Sequence, residues 1–566
     1  FTVTGNLSVD GGTIKLDGNY PVGTDNVALG NTALDSVQSG GNYNVAVGAN
    51  AGTAITTGDS NVAIGDVALT ANTTASNNVA VGSVAMNVNT TGGNNVAVGT
   101  QSLRNNTASN NSAVGYRASH DNTSGTRNVS MGQDAMYQTT TGNDLVGIGN
   151  EALTRNTTGS SNVAIGKEAL SRNTTASNNT AVGHQAAYNN TTGTENTTLG
   201  RVSLLTNTTG NENTAIGSVA LYYNTTGSNN VAVGRQALNN NTTASNNTAV
   251  GFQAMLANTT GTANTAIGRN SLQANTTADD NTASGMYSLY TNTTGASNTA
   301  HGRSALFSNT TGSSNVSVGV QALENNTTAS SNTAVGYQAG VSNTTGAFNT
   351  FVGKDSGLSI TTSSNSTFVG EYSGRSTTGG GNTFIGQGAG TAVTSGGNNT
   401  ILGQYTGNQS GLDIRTASDY VVISDGTGLP RAFIAGNAGW FQSNNSASWS
   451  QASDERIKEN ISSLGSSLSK ILSLRPVEFD YKIKDKNHDI GFIAQEYVSI
   501  FPEQVTSNSE VGGEILELTG GDPVLSIEQN LVPYLVKAIQ ELSTNNDALS
   551  TALDAALARI TTLEGE

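Results

Sequence analysis

Gly234-Arg235-Gln236-Ala237-Leu238, followed by Asn239-Asn240-Asn241-Thr242-Thr243-Ala244-Ser245-Asn246-Asn247 and then Thr248-Ala249-Val250-Gly251, is one period of the repeat that decides the fold. Before Gly251 the side chains alternate, with Thr248 and Val250 to one side and Ala249 to the other, which is the period of a strand. Leu238 supplies a second apolar anchor four residues after Gly234. The residues between these anchors are turn formers. Each period therefore reads as one short strand, one apolar corner and one polar turn.

Working outward, Asn-[Thr/Val]-Ala-[Val/Ile]-Gly or a close variant recurs from Gly30 to Gly403. The step is 17 residues, apart from 18 between Gly30 and Gly48 and 16 at Gly99 to Gly115 and Gly370 to Gly386. Twenty-three repeats occupy residues 26–403. A single unit cannot bury its apolar side, whereas stacked units can, so the pattern predicts a solenoid. At roughly 4.8 Å per strand the stack would run about 110 Å. Its core would be thin, so we expect chains to associate sideways. Asn at fixed steps predicts side-chain hydrogen-bond ladders along the stack.

Composition agrees with repetition. Only 11% of the 566 residues are charged, against about 25% in ordinary soluble domains. The apolar residues recur in register, unlike those of a disordered chain, and no Gly-X-Y triplet runs through the sequence. The net charge of −16, with no basic stripe legible along the chain, argues against nucleic acid and anionic membranes as partners. There are no cysteines, so disulfides are excluded. No run of 18 apolar residues suggests membrane insertion, and no signal peptide is visible. The sequence opens on Phe1, and we expect residues upstream of it.

After Gly403 the repeat stops. Residues 404–452 hold two expected strands, Tyr420 to Ser424 and Ala432 to Ile434, and both tryptophans, Trp440 and Trp449. From Ser453 the composition shifts to Lys, Glu, Ile and Leu; residues 457–474 read as helical and 477–481 as a strand. At the end, Leu535, Ile539, Leu542, Asn546, Leu549, Leu553, Ala556, Ile560 and Leu563 alternate steps of four and three. This is a coiled-coil seam with Asn546 as a polar register pin, and its Ile and Leu placement alone leans toward a dimer. The plainer reading is an amphipathic helix packed on its own domain.

Two resemblances sharpen these expectations. Asn162-Val163-Ala164-Ile165-Gly166 resembles the head repeats of trimeric autotransporter adhesins, which implies a trimeric parallel β-roll. The opening residues 5–16 are similar to stretches that precede such repeats in phage tail fibres. Ser453-Asp454-Glu455-Arg456-Ile457-Lys458-Glu459-Asn460-Ile461 resembles the first motif of the endosialidase-type intramolecular chaperone domain. Arg475 to Tyr481, Gly491 to Glu496, Phe501-Pro502-Glu503, Leu531 to Leu535 and Ala538 to Leu542 match its later blocks in order. The resemblance implies that three copies assist folding of the upstream fibre and that the domain then cuts the Ala452–Ser453 bond. It assigns Ser453 as nucleophile and Lys458 as its base. A serine hydroxyl needs such a base, and burial can lower a lysine toward neutrality. The plainer reading makes Ser453 and Asp454 a helix cap and Lys458 a solvated charge.

Other signals carry less. The Asn-Thr-Thr sequons read as turns. His120, His184, His301 and His488 lack metal-ligand spacing, so no metal and no cofactor is expected. Asp279 and Asp280 read as surface turn residues, and no carboxylate pair in the repeats suits glycan hydrolysis. Tyr222, Tyr223, Tyr287, Tyr290 and Tyr337 read as scattered surface aromatics.

The expected fold is mainly β: a trimeric parallel β-roll or β-solenoid shaft, then a small α+β chaperone domain with a C-terminal coiled coil. The expected divisions are an opening β segment over 1–25, repeats over 26–403, a distal tip over 404–452, the chaperone over 453–545 and a coiled-coil helix over 535–566. The resemblance implies a homotrimeric phage tail fibre, made in the host cytoplasm and placed on the virion tail. It would join other tail proteins through its N-terminus. It would bind a host-surface glycan. If cleavage makes residues 404–452 the tip, Trp440, Phe441 and Trp449 are candidate sugar contacts, and the alternative is that they pack the trimer junction. Alternatives are a polysaccharide-degrading tail spike and a bacterial surface adhesin. An ice-binding solenoid is less favoured, because the Thr-Thr pairs fall in turns.

Overall fold

The computed structural model describes residues 23–436, 440–442, 462–480, 488–508, 524–527 and 531–565. Most of the opening segment lies outside them. The chain divides into two compact units, Phe1–Trp449 and Ser450–Glu566.

In the first unit each repeat contributes one three-residue strand, from β1 (Val27–Leu29) to β23 (Thr400–Leu402). Every strand pairs in parallel with the next, in a register that sets each repeat on its copy: Thr248 sits beside Val231, Ala249 beside Ala232 and Val250 beside Val233. The result is a 23-turn parallel β-solenoid with a 17-residue repeat. Ala249 is fully buried while Thr248 and Val250 remain half-exposed, so the small member of the alternation faces the core. Ala237 and Leu238 fill the corner.

The corner depends on backbone conformations that most residues avoid. Gln236 and Leu238 have φ of 60° and 48°, in the left-handed region. Neighbouring turns compensate by accepting the amides of both left-handed residues. The Gln236 N–H donates to Ser218 O at 3.1 Å, and the Leu238 N–H donates to Ala254 O at 3.0 Å. Gly234, at φ 131°, admits no side chain at all: a Cβ would stand 2.5 Å from the carbonyl oxygen of Gly251.

Two buried asparagine ladders run along the stack, as the fixed steps predict. In one, Asn241 Nδ2 donates to Asn224 Oδ1 at 2.8 Å and to Ala244 O at 3.0 Å. In the other, the Asn247 backbone N–H donates to Asn230 Oδ1 at 3.1 Å, and Asn247 Nδ2 donates to Gly261 O at 2.9 Å. A carboxamide carries both an N–H donor and a C=O acceptor, so identical copies can bond upward and downward indefinitely. The first ladder is continuous from Asn156 to Asn343. Thr139 interrupts it earlier, leaving Thr139 Oγ1 and Asn122 Oδ1 buried without a partner.

The core changes composition toward the C-terminal end of the stack. There the inward strand alanine becomes Phe351, Phe368 and Phe384, all fully buried. The corner leucine becomes Gly340, Gly357, Gly374 and Gly390, which face the three rings. The exchanges are coupled sterically, since a Cβ on Gly357 would stand 2.4 Å from the Phe351 ring. Phe rings of successive turns meet, with centroids 5.8 Å apart for the tilted pair Phe351 and Phe368 and 5.0 Å for the stacked pair Phe368 and Phe384.

Past β23 a short hairpin, β24 (Asn408–Gln409) with β25 (Leu412–Asp413), folds out. β26 (Tyr420–Ser424) then adds one more parallel rung to β23. The fully buried Tyr405 donates its hydroxyl to Leu412 O at 2.7 Å, and Ile414 is buried in the same core. β27 (Pro430–Ala435) and β28 (Trp440–Gln442) follow in antiparallel pairing, which ends the parallel stack.

The second unit holds α1 (Leu468–Leu472), the hairpin of β29 (Val477–Asp480) with β30 (His488–Gly491), and α2 (Ala494–Tyr497). A 3-10 turn, Pro502–Gln504, leads into β31 (Val505–Asn508), which pairs with β32 (Val524–Ile527). α3 (Val532–Glu564) closes the unit as a 33-residue helix. The helix expected over 457–474 is shorter: residues 462–467 are not helical and α1 has five residues. The serine-rich stretch around Gly465 favours turns, and the α1 N-terminus is capped from elsewhere in the unit. No helix among the described residues is long and apolar enough to cross a membrane.

Candidate chaperone core and exposed surfaces

The motifs quoted from the second unit converge. Tyr497 and Phe501 are buried, and their rings stand 5.3 Å apart. Phe492 packs on Tyr497 at 5.5 Å, and Tyr534 of α3 meets Phe501 edge-on at 4.8 Å. Lys470 of α1 places its ammonium 5.3 Å from the Phe501 ring centre, a cation–π contact. Polar ends of the cluster are satisfied too: Tyr497 OH donates to Gln504 Oε1 at 2.9 Å, and Tyr534 OH donates to Glu503 Oε1 at 3.1 Å. Burial pushes both phenols up from their ordinary value.

Two carboxylates pin the unit's segments. Arg475, just ahead of β29, donates to both oxygens of Glu496 on α2, and this bond holds Glu496 below the usual carboxylate range. Glu541 of α3 accepts from the backbone N–H groups of Leu468, at 3.0 Å, and Ser467, at 3.2 Å, and from the Ser466 hydroxyl at 3.0 Å. It thereby caps α1, and the Leu468 amide is the main reason that its own pKa is lowered. The block Ala538 to Leu542 was legible as a motif. The capping by Glu541 was not, because its partners lie more than 70 residues upstream.

α3 leaves its seam open. Leu542, Leu549, Leu553 and Ile560 are each at least half exposed, and Ala538 is the buried residue of this helix. Among the described residues, then, these heptad side chains are not covered.

Ala452, Ser453, Lys458 and Trp449 lie outside the described residues. Trp440 and Phe441 fall on β28, opposite Ile434 and Phe433 in the backbone register.

Of the five shaft tyrosines read from sequence as scattered, four are gathered. Tyr222 and Tyr223 meet at 4.6 Å. Tyr287 and Tyr290 meet at 5.5 Å, and Tyr290 stacks on Phe307 at 5.1 Å. The 17-residue period returns equivalent positions to the same flank, which one-dimensional inspection of unequal residues does not reveal.

No curated protein and no solved structure matches the chain. A protein-family model described as chaperone of endosialidase matches residues 453–506. The matched stretch contains Arg475, Phe492, Glu496, Tyr497 and Phe501, so it covers much of the aromatic cluster and the Arg475–Glu496 pair. Residues 453–506 are thus a chaperone-of-endosialidase domain, carried C-terminal to a 17-residue-repeat β-solenoid.

Proposed function

We propose that the chain is a trimeric phage tail-fibre protein that attaches to the host surface, and that its C-terminal domain directs trimer folding and then cleaves the Ala452–Ser453 bond. Ser453 acts as nucleophile and Lys458 as its base. The observation that carries this reading is the joining of a chaperone-of-endosialidase domain to a repetitive shaft in one chain. Two exposed apolar surfaces support assembly. One is the α3 seam. The other is the outward face of the solenoid strands, where the first and third residues of all 23 strands include no Asp, Glu, Lys or Arg. Ile267, Leu199 and Met131 on that face are 45%, 49% and 50% exposed, enough apolar area to favour burial against other copies.

The test is the denatured mass of the expressed full chain beside that of Ser453→Ala. Wild type is expected to lose everything from Ser453 onward while the variant stays whole. A wild type that also stays whole, yet forms trimers, would leave the domain a chaperone without proteolysis.

A further inference from the structure

The first, second, fifth and sixth residues after each glycine vary from turn to turn and line one corner of the stack. Over the seven turns from Gly200 to Gly302 these positions contain no Asp or Glu. They do contain Arg201, Arg235, Arg269 and Arg303, each directly after its glycine and each 34 residues, or two turns, from the next. All four are exposed, and among the described residues no carboxylate forms an ion pair with any of them. The in-register stack therefore builds a basic column that linear inspection missed, with a step of roughly 10 Å. The carboxylates Glu195, Glu212, Asp279 and Asp280 lie in the turns that precede the strands, at the opposite strand end, while on the arginine corner Glu168, bonded by the groove-lining Gln185 at 2.6 Å, and Glu324 lie just beyond the two ends of the strip.

Aromatic rings occupy the turns between the arginines. Tyr222 and Tyr223 follow Arg201, Phe252 follows Arg235, and Tyr287 and Tyr290 follow Arg269. The guanidinium carbons of Arg235 and Arg269 stand 5.8 and 5.9 Å from the Phe252 ring centre, one from each neighbouring arginine turn. An open groove of about 460 Å³ at one end of the strip is lined by Arg201, Tyr222, Tyr223, Gln185, Gln236 and Asn239. Planar rings, guanidinium groups and carboxamides on a shallow, open surface suit a ligand with alternating apolar faces and polar edges.

We propose that the strip from Arg201 to Arg303 binds a linear acidic polysaccharide lengthwise, with one anionic group per disaccharide on each arginine and the intervening sugar faces against the aromatic rings. One turn advances about as far as one sugar of an extended chain, so the two-turn arginine step matches a disaccharide. A nucleic acid fits less well. Its backbone carries a charge about every 3.4 Å per strand, far denser than the column, and the chain's net charge of −16 repels so dense a polyanion. The proposal rests on the surface-attachment reading and adds a lengthwise site on the shaft to the expected contacts near its end.

The test uses the full chain against hyaluronan and chondroitin, which carry one carboxylate per disaccharide, with dextran and single-stranded oligo(dT) as comparisons. The fourfold variant Arg201→Gln, Arg235→Gln, Arg269→Gln, Arg303→Gln is assayed beside wild type, with circular dichroism melting as the folding control. The expected result is binding to a carboxylated glycan that weakens with salt. Each single exchange should cost roughly two- to fivefold, and the fourfold variant on the order of a hundredfold. The proposal is overturned if neither acidic glycan binds, if dextran or oligo(dT) binds more tightly, or if the fourfold variant binds like wild type. Adhesion of both proteins to host cells is scored separately. Adhesion that survives in the fourfold variant removes the strip but leaves surface attachment standing, whereas wild type that never adheres removes the attachment reading itself.

Discussion

Leu238 of the shaft is fully buried, while Leu549 of α3 is 69% exposed. Both belong to strictly periodic patterns, and the difference lies in where the period is completed. In the shaft each turn is covered by the next turn of the same chain, which also takes its backbone N–H groups and its ladder amides. In α3 the seam repeats along one helix, and among the described residues nothing lies over it. A 17-residue period can satisfy itself; a heptad needs another helix.

That contrast is broken most sharply at the seam. The double exchange Leu542→Asp, Leu549→Asp sets two carboxylates on a surface read as an assembly interface. Each buried leucine contributes about 1.5–3 kcal/mol, so we expect complete loss of the trimer. Analytical ultracentrifugation would then show monomer or aggregate, and an unchanged trimer would mean that α3 does not hold the copies together.

Within the shaft the largest expected effect is at the aromatic end. Phe351→Ala should cost about 3–5 kcal/mol, because Gly340 and Gly357 leave nothing else to fill the space. The compensating double exchange Phe351→Ala, Gly357→Leu restores the pattern of the central turns and should recover a large part of that loss. The left-handed φ of 63° at Gly357 is no obstacle in principle, since Leu238 adopts 48° at the equivalent corner position. Thermal unfolding of the three proteins decides it; a double variant no better than the single would show that the two exchanges are independent.

The asparagine ladder should respond in both directions. Asn241→Ala removes two donated bonds, takes the donor from Asn224 Oδ1, and takes one of its two acceptors from Asn258 Nδ2, which keeps its bond to Gly261 O, at a cost of about 2–3 kcal/mol. Conversely, Thr139→Asn supplies the missing rung between Asn122 and Asn156 and should stabilise by about 1 kcal/mol. Denaturant unfolding followed on each variant measures both, and a destabilising Thr139→Asn would argue that the interruption is required by local packing.

These features differ in how far they could be read in advance. The solenoid, its strands and the ladders follow from the glycine and asparagine spacing, because one period contains its own environment. The exposed seam also followed from spacing. What could not be read were relations between unlike residues at a distance. The Phe351 for Ala exchange is meaningful only beside Gly340 and Gly357, the arginine column only once the turns are stacked, and the helix expected over 457–474 only once Glu541 is seen to cap its remnant at Leu468. The candidate nucleophile Ser453 and base Lys458 rest on motif alone.

The smallest expected effect tests that last relation. Glu541 bonds the start of α1 as a carboxylate, and its pKa is lowered by those bonds. A group depressed in the folded state stabilises above its unfolded pKa, about 4.3 for Glu, and that contribution is lost as pH falls through the folded value. The amides of α1, such as that of Ile471, should therefore lose hydrogen-exchange protection as the pH is taken below about 4, while shaft amides such as that of Leu238 stay protected. Glu541→Gln should lower α1 protection at neutral pH and flatten its pH dependence, since a neutral amide caps more weakly than a carboxylate. The carboxylate Glu496, bound by Arg475, is depressed in the same direction, so Arg475→Gln serves as the comparison. If α1 protection follows Arg475 rather than Glu541, the unit is held through the β29–α2 side and not through the cap. If it follows Glu541, then α3, the helix that presents the open seam, also fixes the fold of the domain it leaves.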